Sequence, residues 1–247
     1  MFLRNIMPFV KRSTLIGVLA TVLITLLLPT QVVQAAPIVT CPGWNLIASP
    51  SRPGSYNFLS GVAALSTTDV WAVGESFING SLRHQTLIEH WNGSNWSLIT
   101  SPNTGSDDFL SSVGAISANN LWAVGDSFDN SSEITQTLVE HWNGSIWSVV
   151  SSPNPGSYYN DLSGVAAVSA NDVWAVGEWG TSGSHPDRAL IEHWNGTSWN
   201  VVKGATVGMG TKSLAGVARV PGTSQLWAVG TFWPLHQSAQ TLTEFHC

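Results

Sequence analysis

The chain has 247 residues, of which 43% are hydrophobic and only 10% are charged, and its formal net charge is −6. A chain with so few basic residues lacks the cationic surface that neutralises phosphates, so we expect no nucleic-acid binding. The length is sufficient for one domain with a sizeable core.

The N-terminal segment, residues 1–36, has the pattern of a secretory signal peptide. Three basic residues precede an apolar run from Thr14 to Leu28, and small residues follow up to Ala35. A basic start, a short apolar stretch and a small-residue exit predict cleavage near Ala35. We therefore expect a secreted, extracellular protein with a single domain at 37–247. Contact with a membrane is expected only if this segment stays uncleaved as an anchor.

One motif, Trp-Ala-Val-Gly, occurs four times, at spacings of 51, 52 and 53 residues. The copies begin at Trp71, Trp122, Trp174 and Trp227. A period near 50 with several short strands in each copy is typical of a β-propeller. The sequence therefore predicts an all-β fold, a four-bladed β-propeller with four-stranded blades. The repeats span approximately 57–106, 107–158, 159–210, and 211–247 together with 41–50.

The first copy predicts four strands, here called a to d: Leu59–Ser66, Val70–Ser76, Thr86–Trp91 and Trp96–Thr100. Apolar and β-branched residues dominate each run, and turn residues separate the runs. An Asn-Gly pair lies between strands c and d in three copies. Such a pair favours a tight hairpin because Asn and Gly both tolerate positive φ angles.

The first and last copies are incomplete in complementary ways. Residues 44–50 match a d strand with no a, b or c strand before it, and residues 241–247 match a c strand with no d strand after it. We expect the N- and C-terminal strands to share the last blade and to close the ring. Cys41 and Cys247 align with the two central positions of the c–d turn, so we expect a disulfide between them. We expect a monomer, and the sequence leaves open a domain-swapped dimer of eight blades bridged the same way.

The repeat Val-Trp-Ala-Val-Gly, followed after a variable loop by Thr-Leu-Ile-Glu-His-Trp-Asn-Gly-Ser-Asn-Trp, resembles the kelch repeat of kelch-like and galactose-oxidase-like propellers. The likeness covers essentially all of the chain after residue 36. It departs at the Gly-Gly doublet of kelch blades, whose second position here is Glu75, Asp126, Glu178 or Thr231. The copper chemistry of galactose oxidase uses a Tyr cross-linked to a Cys. Because both cysteines are assigned to the disulfide, we expect no such oxidase.

The repeated tryptophans and histidines have structural interpretations. Eleven of the 13 tryptophans occupy three repeat positions, which is typical of packing between blades. The Glu-His pairs that begin at Glu89, Glu140 and Glu192 are adjacent on a strand, so their side chains point to opposite faces. The chain has no motif for nucleophilic catalysis and no phosphate-binding loop. We therefore expect no enzyme, no cofactor and no metal site.

Differences between the copies concentrate in the b–c and d–a loops, which share one face of a propeller and are where binding usually resides. Aromatic rings beside polar groups suit carbohydrate recognition, although these rings would equally serve to cap the blades. The leading hypothesis is a secreted, non-catalytic binding module for an extracellular glycan or protein, and the alternative is a structural or protein–protein interaction scaffold. The candidate ligand-binding residues are Phe77, Arg83, His84, Phe128, Asp129, Trp179, His185, Arg188, Phe232, Trp233 and His236.

Overall fold

The computed structural model describes residues 43–81, 83–182 and 188–247. Contacts within the chain divide it into two units, Met1–Asn45 and Leu46–Cys247. The predicted signal peptide, Cys41 and His185 lie outside the described residues, so the signal peptide and the disulfide remain predictions. Within the described ranges, no helix is long and apolar enough to cross a membrane.

In the described part of the chain, 15 antiparallel strands form four sheets in chain order. The first sheet contains β1 (Ser55–Ser66), β2 (Asp69–Ile78), β3 (His84–Trp91) and β4 (Trp96–Ile99). The second contains β5 (Asp107–Ser117), β6 (Asn120–Asp129), β7 (Ile134–Trp142) and β8 (Trp147–Val149). The third contains β9 (Tyr159–Ser169), β10 (Asp172–Gly180), β11 (Arg188–Trp194) and β12 (Trp199–Val201). The fourth contains β13 (Gly210–Arg219), β14 (Leu226–Pro234) and β15 (Gln240–His246).

The predicted all-β class with one antiparallel sheet per repeat is confirmed. The strands of each sheet are hydrogen-bonded in the order a, b, c and, where present, d. The b strands run further into the variable loops than the sequence predicts, since β2 ends at Ile78 rather than at Ser76. The b–c loops are correspondingly short, and the residues at their ends are held by the sheets.

A bulge in each a strand explains the glycine of the Trp-Ala-Val-Gly motif. In the second sheet the register between β5 and β6 shifts between Leu110 and Ser112, opposite Gly125. A Cβ atom on Gly125 would overlap the carbonyl oxygen of Phe109. The corresponding glycines of the other three sheets have the same close approach. Only glycine lets the b strand pass so close to the bulged backbone.

The core lies between successive sheets. Each tryptophan that opens the motif in the first three copies is buried and faces the next sheet. Trp71, for example, packs against Trp142 and Trp147 of the second sheet, with ring centroids 5.0 and 5.7 Å apart. The same arrangement joins Trp122 to the third sheet. The prediction that repeated tryptophans pack between blades is thus confirmed for these positions.

The expected closure of the last blade by strands from both termini differs from the structure. Residues 44–50 form no strand, and the fourth sheet contains three strands among the described residues. A d strand of the other sheets has three or four residues and follows its c strand through a short hairpin. The terminal segment has no such local connection, so its few hydrogen bonds must offset the entropy of closing a loop almost as long as the chain.

Candidate functional site

The predicted binding residues are spread over the loop ends of all four sheets. Phe77 and His84 are cross-strand neighbours on the first sheet, and their rings lie 4.5 Å apart. His84 Nδ1 is hydrogen-bonded to the Glu75 carboxylate, and Tyr56 covers the other side of Phe77 at 5.0 Å. Since these groups already contact one another, the cluster covers the end of the sheet and leaves no aromatic ring free to stack on a ligand.

Arg83 is exposed and precedes β3, in the b–c loop of the first sheet. Its Nη2 donates a hydrogen bond to the Gly105 carbonyl oxygen at 3.4 Å. Arg83 also lines an open, polar cavity of about 640 Å³ together with Asp107 and Asn130. No aromatic side chain lines this cavity, so it lacks the flat apolar surface that sugar stacking requires.

The remaining predicted residues of the second and fourth sheets are dispersed. Phe128 is half-buried at the end of β6, and Asp129 binds the amide and hydroxyl groups of its own turn, which lowers the pKa of its carboxyl. Phe232 is only 7% exposed and belongs to a core cluster, so its ring packs inside the fold and is not presented on the loop face. Trp233 and His236 are exposed, and His236 has a left-handed backbone with φ of 61°.

Trp179 and Arg188 form a more open site between the third and fourth sheets. They are cross-strand partners at the ends of β10 and β11, and the Arg188 guanidinium carbon lies 4.9 Å from the centroid of the Trp179 ring. Both line a groove of about 530 Å³ that also includes Lys203 and Lys212 of the d–a segment. We call this feature the Trp179 groove. It combines an aromatic wall with several hydrogen-bond donors.

The d–a segment beside this groove, residues 203–213, departs from its counterparts because one anchoring residue differs. In the first three sheets this position is Asn57, Asp108 or Asn160, whose side-chain oxygen accepts hydrogen bonds from the preceding loop amides. In the fourth sheet it is Lys212, whose Nζ donates to the Ala205 carbonyl oxygen and lies 3.5 Å from Glu244. The sequence analysis missed Lys203, Lys212 and Glu244. Their signal was the replacement of Asn or Asp by Lys at this repeat position.

A group of carboxylates lies on the a and b strands of the sheets. Burial, with the nearby charges of Asp161, Glu75 and Asp108 adding to it, raises the pKa of Asp126 to about 8. Burial also raises the pKa of Asp161 to about 6. Neither residue lines the Trp179 groove or the Arg83 cavity. No cluster among the described residues has three or more groups placed to hold a metal ion.

The Glu-His pairs have separated roles, as the strand geometry predicts. His90 stacks on Trp71 at 4.2 Å and donates through Nε2 to Asp69, while the adjacent Glu89 is buried on the other face. Glu140 and Glu192 are fully buried, and their carboxyl oxygens have no hydrogen-bond partner among the described residues. Burial, as the main cause, raises the pKa of each of these two to about 8, so both are protonated at neutral pH.

No protein-family model and no curated protein sequence matches the chain. Solved structures match at low identity. A mutant sialidase from Trypanosoma rangeli is 12% identical with a TM-score of 0.51, over 72% of this chain and 30% of its own. A Penicillium chrysogenum α-L-arabinanase complexed with arabinobiose is 15% identical with a TM-score of 0.50, over 78% and 63%. Ycf48 bound to D1 peptide is 13% identical with a TM-score of 0.45, over 78% and 59%.

The chain therefore spans between 30% and 63% of the length of these three structures. Identities this low concern the fold alone. The structural similarity and the four antiparallel sheets together show that the chain is an all-β protein whose sheets correspond to the blades of a β-propeller-like fold.

Proposed function

We propose that this chain is a secreted, non-catalytic binding module that recognises a carbohydrate carrying an acidic group in the Trp179 groove. The observation that carries the proposal is the Arg188 guanidinium, held 4.9 Å from the centroid of the Trp179 ring at a groove of about 530 Å³. The guanidinium recognises a carboxylate or sulfate by paired hydrogen bonds, and the Trp179 ring that it lies over holds it at the groove. The volume fits a short oligosaccharide.

The charges around the groove support an anionic ligand. Arg188 and Lys203 have no ion-pair partner among the described residues, whereas Lys212 is paired with Glu244. The groove thus gathers two cations that have no ion-pair partner among the described residues, in a chain with nine basic and 15 acidic residues. Arg188 is pre-positioned by its contact with Trp179, so less side-chain entropy is lost when it binds an anion.

A catalytic role is less well supported. No carboxylate with a raised pKa, Asp126 and Asp161 included, lines the Trp179 groove, so none of them is placed to protonate a ligand bound there. The similar arabinanase was solved with arabinobiose, which indicates that a propeller scaffold accommodates a sugar.

We further propose, from the residues of the repeat, that the blades are kelch-like.

A glycan array tests this proposal. The array should carry uronate, sialylated and sulfated oligosaccharides beside neutral oligosaccharides of the same length. We expect binding to acidic members only, and a loss of at least about tenfold in affinity in Trp179→Ala and in Arg188→Gln, which corresponds to about 1.4 kcal/mol. Phe128→Ala is the matched control, since Phe128 and Trp179 are each next to last in their b strands and Phe128 does not line the groove. Thermal melts of all variants verify folding.

Two results would overturn the proposal. Binding that survives Trp179→Ala would place the ligand elsewhere on the loop face. A folded protein that binds no glycan would exclude carbohydrate recognition. That second result would favour a structural or protein–protein interaction scaffold, for which the exposed apolar ends of the sheet array are the specific observation.

A further inference from the structure

The two ends of the sheet array expose residues whose counterparts at the junctions between sheets are buried or half-buried. The outer side of the fourth sheet exposes Trp227, Val229 and Phe245, and we call it the trailing face. The outer side of the first sheet exposes Leu59 and Val62, and we call it the leading face. Val62 is 69% exposed and Val229 is 50% exposed. Apolar side chains this exposed on opposite ends of one array mark two interaction surfaces.

The interior junctions show which surface each face fits. At the first junction, Val73 of the first sheet and Val113 of the second share one core cluster and are 0% and 6% exposed. At the second junction, Val124 and Val165 do the same. Val229 is the repeat equivalent of Val73 and Val124, and Val62 is that of Val113 and Val165. The trailing face therefore has the side chains that pack on a leading face.

The aromatic partners of the trailing face are already in place on the first sheet. The rings of Trp142 and Trp147, which receive Trp71 at the first junction, lie 5.8 Å apart at 42°. Trp91 and Trp96, the equivalents on the first sheet, lie 5.9 Å apart at 47°. Trp147 is buried, whereas Trp96 is half-buried. The first sheet therefore holds a preformed pair of rings in the geometry that receives a tryptophan.

The N-terminal segment is placed as though another sheet preceded the first. At the first junction, Ile99 at the end of β4 packs against the cluster that includes Leu110 and Val113. Ile47, its repeat equivalent, lies beside Leu59 and Val62 in a cavity of about 360 Å³. Ile47 thus lies beside the first sheet as the end of a d strand does, although no sheet precedes it among the described residues.

A cavity in the fourth sheet corresponds to the missing d strand. It has a volume of about 270 Å³ and is lined by Trp174, Leu226, Ala228 and His246. At the first junction the equivalent residues Trp71, Leu121 and Ala123 pack around Trp147 of β8. The cavity therefore lies where a d-strand tryptophan belongs. Trp44 is the tryptophan of the N-terminal d-strand sequence, and it is fully exposed.

Closure within one chain does not bury these surfaces. If the junctions turned each sheet by the quarter-turn of a four-bladed ring, three of them would bring the fourth sheet onto the first. The exposure of Val62 and Val229 shows that the two faces are not packed together. The first and fourth sheets therefore form no junction with each other, and both faces are left open to another sheet.

We infer that two copies of this chain assemble head to tail, with the trailing face of each packed on the leading face of the other. The assembly has eight sheets, which is within the range of closed propellers. The d-strand segment that precedes the first sheet of one copy adds to β15 of the other and fills the cavity beside Trp174. Both joints form together, so the assembly closes as a two-fold dimer and does not extend into a filament.

The oligomeric mass of the full chain, measured by light scattering after size-exclusion chromatography, tests this inference. We expect the mass of two chains at micromolar concentration. Val62→Arg and Val229→Arg each place a cation in a joint, and each should give the mass of one chain. Ile146→Arg is the matched control, because Ile146 is 60% exposed at the c–d turn of the second sheet, away from both faces. It should leave the mass of two chains unchanged.

Mixing the two variants gives a specific result. One joint of the mixed dimer then has Val229 against Val62, as in the wild type, so the mixture should regain a two-chain species. A wild-type chain that stays single at all concentrations would overturn the inference. So would a mixture that stays single, or species larger than two chains. A further result would also overturn it, in favour of closure within one chain. In that case the wild type has the mass of one chain, and Val229→Arg lowers the melting temperature without changing that mass.

Discussion

His193 on the c strand of the third sheet donates through Nε2 to Asp172 Oδ1 on the a–b turn, at 2.9 Å. The same oxygen accepts a hydrogen bond from Trp174 Nε1 at 2.7 Å. Asp69 makes both contacts in the first sheet. In the first and third sheets, this unit of turn acid, strand histidine and core tryptophan therefore connects the a–b turn and the c strand to the packing between sheets, which gives these repeated residues a structural role.

In the second sheet one hydrogen bond of this unit is absent among the described residues, so a single substitution that supplies its acceptor should stabilise the fold. Asn120 replaces the aspartate and accepts from His141 at 3.0 Å, but Trp122 Nε1 is buried without a partner among the described residues. Asn120→Asp should raise the free energy of unfolding by about 1 kcal/mol, since it offers a charged acceptor to that donor. Urea denaturation measures this. Asp172→Asn is the reverse exchange and should lower the free energy of unfolding. If both substitutions changed this free energy in the same direction, the explanation would be contradicted.

Stability should fall as pH rises because of the buried glutamates. Glu140 has a pKa of about 8 in the folded protein, against 4.5 ordinarily, so between these values the folded state holds a proton that the unfolded state has released. This contribution is fully present below pH 4.5 and is lost as pH rises toward 8. Glu140→Gln keeps the shape without the proton. Relative to wild type, it should gain about 1.4 kcal/mol of stability for each pH unit between these limits.

Urea denaturation of wild type and Glu140→Gln at pH 5 and pH 8 checks this difference. Glu133→Gln is the control, because Glu133 is exposed and its substitution should give the same difference at both pH values. A gap between wild type and Glu140→Gln that does not widen with pH would contradict burial as the cause of the raised pKa.

The bulge in each a strand makes one class of glycine irreplaceable. Gly125→Ala should prevent folding or destabilise it by about 3 kcal/mol or more, since the new methyl group meets the Phe109 carbonyl oxygen and the backbone must move. Gly216→Ala should cost about 1 kcal/mol or less, because the nearest atom to its new Cβ, on Val229, lies at 3.9 Å. Circular dichroism melts compare the two. Similar losses would show that the close approach is not the cause.

The expected bridge between Cys41 and Cys247 has a specific form if the head-to-tail dimer is correct. Cys247 is exposed next to the end of β15, where the d-strand segment of the other copy would add. The bridge would then join two chains, and a non-reducing gel of the oxidised protein should show a covalent dimer that a reductant separates. Cys247→Ser should abolish this band. A bridge found within one chain by peptide mapping would support closure of the single chain instead.

The sequence by itself determined the all-β class, one sheet for each repeat and the approximate positions of the four strands in the first copy, because a period of about 50 residues with Asn-Gly turns and alternating apolar residues is a local signal. It also separated Glu89 from His90, since adjacent strand residues always face opposite ways. These features depend on neighbours within one repeat.

Only the tertiary structure decided which loop residues lie together. It buried Phe232, paired Trp179 with Arg188 and brought Lys203 and Lys212 into the same groove, because the depth of each side chain depends on the neighbouring sheet. It also left Val62 and Val229 exposed at the two ends of the array. Whether a ring closes depends on the angle between packed sheets, which arises from many side-chain contacts and has no signature in the repeat.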